Sequence, residues 1–224
     1  MRAVIFDFDG TLVDTERAWY EAYVGLYRQH GREFPFHLYA KTVGTSADAF
    51  DPIRHLCDSD TSIRPEDAER VVEREHRKLL DEEPLRPGVR SSLQELRRLG
   101  VSLGLATSSR RAYVEPFLVK YGIQSYFDAM ATADDVSQVK PHPELYQLAC
   151  RRLGVAPAEA LAIEDSPNGA RAAIAAGLQV LCVPNAITEH MPFPEGCRFR
   201  SSLEGIDWRS FLATISERPE EKRA

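Results

Sequence analysis

The segment FDFDGT carries two aspartates, Asp7 and Asp9, two positions apart at the end of an apolar run. Side chains two apart on a strand point the same way, so both carboxylates project together if extended geometry persists. The Asp-Gly dipeptide also fits a β-hairpin turn. A long helical pattern follows instead of a partner strand, which favours the end of a strand in a larger sheet.

Three further motifs carry polar side chains that could take part in chemistry. LATSS ends in hydroxyls that would either cap the next helix or bind an anion, with Thr107 and Ser108 as the candidate anion ligands. VKPHPE carries Lys140 in a loop, where a lone lysine is usually a solvated charge. LAIEDSP ends in Glu164 and Asp165, and the next two residues, Ser and Pro, are typical of a helix start.

The elements that position these groups follow a repeated plan. A helical pattern, a glycine and an apolar strand recur four times in the second half of the chain. This order predicts crossover units and a parallel sheet buried on both faces, an α/β doubly wound fold. The predicted strands are 3–8, 101–106, 128–131, 160–163 and 179–183.

Residues 15–83 interrupt the plan. They predict two main helices, one with an aromatic face that includes Trp19 and Tyr23, and a highly charged one beginning at Pro65. We therefore predict a helical cap domain at 15–83, inserted into a catalytic core formed by 1–14 and 84–215. The tail, 216–224, has little to bury and is predicted to be disordered.

Taken together, the strand ends bring four acidic side chains to one edge, the edge where open parallel sheets bind ligands. Asp7, Asp9, Glu164 and Asp165 would repel one another there unless protons or a cation neutralised them. Oxygen ligands favour a hard divalent ion, and Mg²⁺ binds phosphate oxygens readily. Lys140 would add positive charge for a phosphate and Thr107 a hydroxyl donor.

The four motifs DFDGT, LATSS, VKPHPE and IEDS, in this order, resemble those of the haloacid dehalogenase-like superfamily. The insertion after the first motif is similar to the cap of the subgroup containing beta-phosphoglucomutase and phosphoglycolate phosphatase. The resemblance covers essentially the whole chain. It implies a sheet order of 3-2-1-4-5.

The resemblance also implies the chemistry. Asp7 would attack phosphorus to form an aspartyl-phosphate, and Asp9 would act as general acid and then general base. Mg²⁺ would be held by Asp7, the backbone carbonyl of Asp9 and Asp165, with Glu164 as a further ligand or a support. Residues implied to bind the phosphoryl group are Gly10, Thr107, Ser108 and Lys140.

Hydrolysis of a small phosphorylated metabolite is the favoured activity. Phosphomutases of the beta-phosphoglucomutase type carry a histidine where this chain has Trp19, and an arginine where it has Ala47. Arg74 and Arg77 are alternative cap donors, and the loop 41–46 is predicted to shape specificity. A non-catalytic phosphoacceptor or ligand-binding module, such as a response-regulator receiver, is disfavoured because its motifs come in a different order.

Composition narrows the remaining classes. The chain has 224 residues and a net charge of -6, which argues against a broad basic face for nucleic acid. No apolar run approaches the roughly 20 residues of a membrane span. The four cysteines show no metal-binding spacing, which is typical of free thiols. We expect a cytoplasmic protein, a monomer or weak homodimer, that binds neither nucleic acid nor membranes.

Overall fold

The computed structural model describes residues 1–40 and 50–216. A six-stranded parallel sheet in the order β3-β2-β1-β4-β5-β6 forms its centre. The strands are β1 (Ala3–Phe6), β2 (Ser102–Ala106), β3 (Ala129–Ala131), β4 (Ala160–Glu164), β5 (Gln179–Cys182) and β6 (Cys197–Phe199). The predicted order of the first five strands is confirmed.

The sixth strand was not predicted. It has three residues, Cys197–Phe199, and all of them are half-buried or exposed at the edge of the sheet. A strand this short, without a continuous apolar run, gives no periodic signal.

Alternation along the strands builds a core on each face of the sheet. In β1, Val4 and Phe6 enter one core, while Ala3 and Ile5 enter the other. The first core is completed by α5 (Val89–Arg98), α6 (Arg111–Lys120) and α9 (Trp208–Ser216). The second is completed by α7 (Glu144–Leu153) and α8 (Pro167–Ala175). A sheet covered on both sides explains why its strands read as apolar runs rather than alternating patterns.

The insertion forms most of a third core, to which Ile187 from outside the insertion also contributes. Its helices are α1 (Thr15–Gln29), α2 (Phe36–Tyr39), α3 (Pro52–Ser59) and α4 (Pro65–Glu82). The charged helix α4 contacts α1 through one stripe of buried residues at a spacing of four, namely Ala68, Val72, His76 and Leu80. That spacing keeps the stripe on one side of the helix, so most of the other positions, apart from the half-buried Val71 and Leu79, are free to carry charge.

Two chain segments join the insertion to the sheet. Val13 forms an antiparallel bridge with Leu85, and the backbone N–H of Arg86 donates to the carbonyl of Leu12. The crossings thus lie beside each other, as expected for an inserted segment.

The division into core and cap domains remains a prediction. The predicted tail beyond residue 216 lies outside the described residues.

Among the helices of residues 1–40 and 50–216, none is both long and apolar enough to cross a membrane.

Candidate active site

The carboxyl edge of the sheet gathers the acidic side chains that the sequence singles out. Asp7 directly follows β1, while Glu164 ends β4 and Asp165 follows it. One carboxylate oxygen from each of the three lies within 4.8 Å of the others, and all three residues are buried. Lys140, from the loop between β3 and α7, reaches the same cluster. The edge therefore concentrates negative charge in a place that water reaches poorly.

Lys140 is the cation of this cluster. Its Nζ pairs with Asp7 Oδ1 and, at 2.7 Å, with Glu164 Oε1. Burial alone would lower the pKa of Lys140, but the charges of Asp7 and Glu164 outweigh burial and raise it. Burial raises the pKa of Asp7, an effect that Lys140 only partly offsets, and burial also raises the pKa of Asp165. One ammonium is thus too little charge for three carboxylates.

Glu164 is fixed by donors on both of its oxygens. Oε1 accepts from Lys140 and, at 2.6 Å, from the Tyr146 hydroxyl. Oε2 accepts from the backbone and hydroxyl of Ser166 at 3.4 and 3.3 Å. The carboxylate fills the space beside Gly169, where an added Cβ would lie 1.9–2.1 Å from its atoms. This arrangement favours a role for Glu164 in orienting Lys140.

Asp165 is oriented by a second set of polar groups. Its Oδ1 accepts from the Thr11 hydroxyl at 3.2 Å and its Oδ2 from the Asn185 amide at 2.9 Å. Gly10, at φ 71°, packs against it, and a Cβ there would lie 2.1 Å from Oδ2. The conformation and the close approach both require glycine. Gly10, a predicted phosphate ligand, therefore also makes room for Asp165.

The loop that carries Gly10 is held from the far side by Arg86. The Arg86 guanidinium donates to the carbonyls of Gly10, of Val183 at 2.8 Å and of Pro184 at 2.9 Å. The arginine comes from the segment that returns from the insertion. It ties that crossing to the site loop and to the end of β5.

Asp9 is surrounded by hydroxyls. Its Oδ2 accepts from Ser109 at 2.6 Å and from Thr107 at 3.3 Å, and its Oδ1 accepts from Thr15 at 3.0 Å. Burial raises the pKa of Asp9, although these hydrogen bonds offset part of the effect. A raised pKa is what a carboxyl group needs to deliver a proton near neutral pH. Thr107, expected to contact a phosphate, contacts Asp9 here.

The hydroxyls of LATSS do not cap the following helix. The residue preceding α6 is Arg110, which makes no side-chain capping bond, and the N–H of Arg111 donates instead to Asp134 at 2.9 Å. Capping by Ser108 or Ser109, one of the two open interpretations, is therefore wrong. Ser166, in contrast, caps α8 through the N–H of Gly169, as predicted.

A cavity of about 270 Å³ opens over these groups. The core supplies Asp7, Asp9, Ser108, Lys140 and Asp165 to its walls, and the insertion supplies Thr15, Glu16 and Trp19. The cavity thus lies between the sheet edge and the first helix of the insertion, the position expected for a site covered by a cap.

Glu16 is the acidic residue on the insertion side. Its Oε2 accepts from the Tyr39 hydroxyl at 2.7 Å. Burial raises the pKa of Glu16 to about 7, and the charges of Asp9 and Asp14 contribute. Glu16 therefore changes its charge close to physiological pH.

Several residues of the site were not predicted from the sequence: Thr15, Glu16, Ser109, Tyr146, Gly169 and Asn185. Acidic and hydroxyl residues at the start of a helix are common without any function, so Thr15 and Glu16 gave no distinct signal.

Arg74 and Arg77 lie on the exposed side of α4 and do not line this cavity. The loop 41–46 and Ala47 lie outside the described residues.

The donor set fits a hard divalent cation. Asp7, Asp165 and Glu164 present oxygen only, and Lys140 leaves part of their charge unpaired. Carboxylate oxygens are the side-chain ligands that Mg²⁺ prefers. The Asp9 side chain is not part of this cluster of Asp7, Glu164 and Asp165, and the contribution of its backbone carbonyl stays a prediction.

Comparison with known proteins places the chain in a family. The model of the haloacid dehalogenase-like hydrolases matches residues 4–183. Protein YhcW of Bacillus subtilis (strain 168) is 39% identical over 87% of this chain and 89% of its own. The phosphorylated carbohydrates phosphatase of Thermotoga maritima is 33% identical over 80% of this chain and 83% of its own.

A solved structure agrees with these sequence relatives. The crystal structure of CbbY from Rhodobacter sphaeroides in complex with phosphate has a TM-score of 0.72 and 30% identity, and the match covers 92% of this chain and 96% of CbbY. The match of the family model, the identities and the shared fold lead to one conclusion: this chain belongs to the haloacid dehalogenase-like hydrolases.

Proposed function

We propose that this chain is a Mg²⁺-dependent phosphatase that hydrolyses a small phosphorylated metabolite through an aspartyl-phosphate on Asp7. The observation that carries the proposal is that two aspartates in different surroundings line one cavity. Asp7 lies against Lys140 in the acidic cluster, whereas Asp9 stands outside the cluster and accepts hydrogen bonds from three hydroxyls. Two carboxyl groups in different surroundings take different roles, nucleophile and acid.

Asp7 carries the covalent step. A carboxylate oxygen of Asp7 attacks phosphorus, the bond from phosphorus to the ester oxygen breaks, and the phosphoryl group stays on Asp7. Lys140 holds Asp7 in place and lowers its pKa, and Glu164 and Tyr146 hold Lys140. Burial outweighs this ammonium and raises the pKa of Asp7, so a bound cation would supply the further positive charge that keeps Asp7 in its reactive carboxylate form.

Asp9 moves the protons. Its carboxyl proton passes to the leaving alcohol oxygen, and the resulting carboxylate then takes a proton from the water that attacks phosphorus on Asp7. Phosphate leaves and Asp7 is restored. The hydroxyls of Thr15, Thr107 and Ser109 hold the side chain in one orientation, so that the same oxygen can serve both steps.

The metal site would be formed by Asp7, Asp165 and the backbone carbonyl of Asp9. When bound, Mg²⁺ would neutralise the cluster and lower the repulsion between Asp7 and an incoming phosphate dianion. The rest of the phosphate site is supplied by Lys140, with Gly10, Thr107 and Ser108 proposed as further contacts. Asn185 and Thr11 hold the Asp165 carboxylate in position for the cation.

Hydrolysis is favoured over phosphoryl transfer within a sugar phosphate. In the insertion, Trp19 occupies the wall of the cavity where beta-phosphoglucomutases are expected to carry a histidine. An indole does not assist a proton transfer from a sugar hydroxyl. The cytoplasmic location and the monomeric or weakly dimeric state remain predictions from the sequence.

The test is phosphate release from a panel of phosphate esters with Mg²⁺ and with EDTA. We expect metal-dependent turnover that Asp7→Asn abolishes. Asp9→Asn should slow turnover by about 10²–10⁴-fold, the usual contribution of general acid–base catalysis, while Mg²⁺ affinity is largely kept. Full activity in Asp7→Asn would reject the mechanism, and conversion of beta-glucose 1-phosphate to glucose 6-phosphate would establish a mutase instead.

A further inference from the structure

Four side chains of the catalytic cavity take no part in binding the metal or the phosphate, or in moving protons. Glu16 and Trp19 come from the insertion, and Val139 and Asn168 come from the core. Trp19 and Val139, which is 40% exposed, offer apolar surface to a carbon skeleton. With a phosphate at Asp7, these four side chains border the space that is left for the alcohol part of an ester. We call them the outer wall.

Glu16 offers a hydrogen-bond acceptor on the insertion side of the outer wall. Its Oε2 accepts from Tyr39 at 2.7 Å, whereas its Oε1 has no hydrogen-bond partner in the described part of the chain. Oε1 is not among the unpaired atoms that are sealed from solvent, so a molecule in the cavity can reach it. No cation of residues 1–40 and 50–216 pairs with Glu16, since the neighbouring Arg17 is directed to Glu21 and Glu83.

Asn168 offers a hydrogen-bond donor on the core side. Its Oδ1 accepts from Arg171 at 2.8 Å, and Arg171 is itself anchored on the carbonyl of Pro192 at 3.3 Å. A guanidinium only donates, so the amide oxygen must face Arg171 and the NH₂ group is turned away from it. Among the described residues this NH₂ group has no acceptor, and it is not sealed from solvent. The two sides of the outer wall therefore differ in polarity.

This polarity favours hydroxyl groups over anionic ones. A hydroxyl can donate to Glu16 and accept from Asn168, whereas a carboxylate only accepts and is repelled by the charge of Glu16. A second anionic group would also lack a counter-ion. Lys140 is the one basic side chain among the described residues that line the cavity, and it is already paired within the acidic cluster.

We propose that the substrate is the monophosphate of an alcohol with several hydroxyls and no second anionic group, and that Glu16 and Asn168 are the specificity residues that bind those hydroxyls. This proposal rests on the proposed phosphatase function and narrows its substrate class. Phosphorylated carboxylic acids and bisphosphates are excluded. Glu16 and Asn168 contact the leaving alcohol and not the reacting atoms, so they select the ester without taking part in the chemical step.

The experiment compares three esters of equal chain length at pH 8, above the pKa of Glu16 of about 7. They are a polyol phosphate, the aldonate phosphate in which a carboxylate replaces the terminal hydroxymethyl group, and the n-alkyl phosphate without hydroxyls. The sets run from glycerol 3-phosphate with 3-phosphoglycerate to sorbitol 6-phosphate with 6-phosphogluconate. In the best set we expect kcat/KM of the polyol to exceed that of both other esters by at least about tenfold, because the alkyl ester loses hydrogen bonds and the aldonate meets the charge of Glu16.

Two isosteric variants reverse the polarity of the outer wall. In Glu16→Gln the amide oxygen accepts from Tyr39 and the NH₂ group faces the cavity, so a neutral donor replaces a charged acceptor. The kcat/KM of the aldonate should rise, and the ratio of polyol to aldonate should fall by at least about fivefold, a gain that a merely structural role would not produce. In Asn168→Asp one carboxylate oxygen still binds Arg171 and the other replaces the donor. The same ratio should then increase by about fivefold, mainly through the KM of the aldonate.

Glu21→Gln is the matched control, because Glu21 is an exposed carboxylate of α1 that does not line the cavity. Its ratio of polyol to aldonate should equal that of the unaltered protein. An aldonate phosphate hydrolysed as well as its polyol, or a ratio that Glu16→Gln leaves unchanged, would overturn the outer-wall proposal and leave the phosphatase function standing. Absence of phosphate release from every ester, p-nitrophenyl phosphate included, would overturn both.

Discussion

Glu16 gives the structure a pH dependence that one substitution should remove. The carboxyl group lines the catalytic cavity, accepts a hydrogen bond from Tyr39 and has a pKa of about 7, against an ordinary value of 4.5. The unfolded chain releases this proton near pH 4.5, whereas the folded chain retains it until about pH 7. Stability is therefore lost as pH rises through this window, and the full penalty is present above it.

The size of the penalty follows from the two pKa values. Each pKa unit corresponds to about 1.4 kcal/mol, so the difference for Glu16 amounts to about 3 kcal/mol at pH 8 and to less than about 1 kcal/mol at pH 5. Glu16→Gln keeps the shape of the side chain and an oxygen that can accept from Tyr39. The free energy of unfolding of the variant should therefore exceed that of the unaltered protein by about 3 kcal/mol at pH 8 and by little at pH 5.

The assay is urea unfolding between pH 5 and pH 8 in EDTA, so that no cation neutralises the nearby aspartates. Glu69→Gln removes an exposed carboxylate of α4 and controls for the loss of one charge. Each variant is compared with the unaltered protein by the difference in the free energy of unfolding. If this difference depends on pH in the same way for Glu16→Gln as for Glu69→Gln, the reasoning about Glu16 is refuted.

Two further predictions concern the acidic cluster. Mg²⁺ at 100 times its Kd should stabilise the protein by about 2.7 kcal/mol and raise the Tm by roughly 5–10 °C. In EDTA, Asp165→Asn should be more stable than the unaltered protein, and Mg²⁺ should add little to its stability. An equal gain from Mg²⁺ in both proteins would contradict the proposed site. Gly169→Ala forces a Cβ into the Glu164 carboxylate and should lower the free energy of unfolding by about 1–3 kcal/mol with a larger loss of activity. Its control, Gly25→Ala, meets nothing within 4 Å in the middle of α1 and should stabilise by about 0.5–1 kcal/mol; unchanged turnover in Gly169→Ala would show that Glu164 does not hold Lys140.

The sheet could be predicted from the sequence because each of its main strands is buried on both faces. Ala160–Glu164, for instance, is buried at every position, so its apolar run is continuous and its end is marked by the first acidic residue. The order of the strands came from the resemblance to a family rather than from the apolar pattern. Cys197–Phe199 shows the limit, since a short edge strand has no such run to detect.

The acidic cluster could be anticipated for a related reason. Asp7 and Asp165 directly follow strands, Glu164 ends one, and Lys140 lies in the loop after β3. The carboxyl ends of parallel strands meet at one edge whatever the side chains are. The residues that hold them could not be anticipated. Tyr146 reaches Glu164 from within a helix, and Asn185 reaches Asp165 from a loop 20 residues further along the chain. Such partners depend on how helices and loops are placed on the sheet. The periodic pattern of apolar residues does not predict that placement.

In the insertion, too, the sequence pattern predicts which helices form but not what each helix face contacts. Its aromatic helix reads as a core-forming element, and Leu26 and Tyr27 are indeed buried in the third core. Trp19 lies on the same helix, yet it lines the catalytic cavity while stacking on His76. Helical periodicity assigns a residue to a face but does not say whether a helix or a cavity lies opposite that face. For this reason the phosphate chemistry can be derived from the motifs, whereas the selection of the substrate depends on contacts between the insertion and the core.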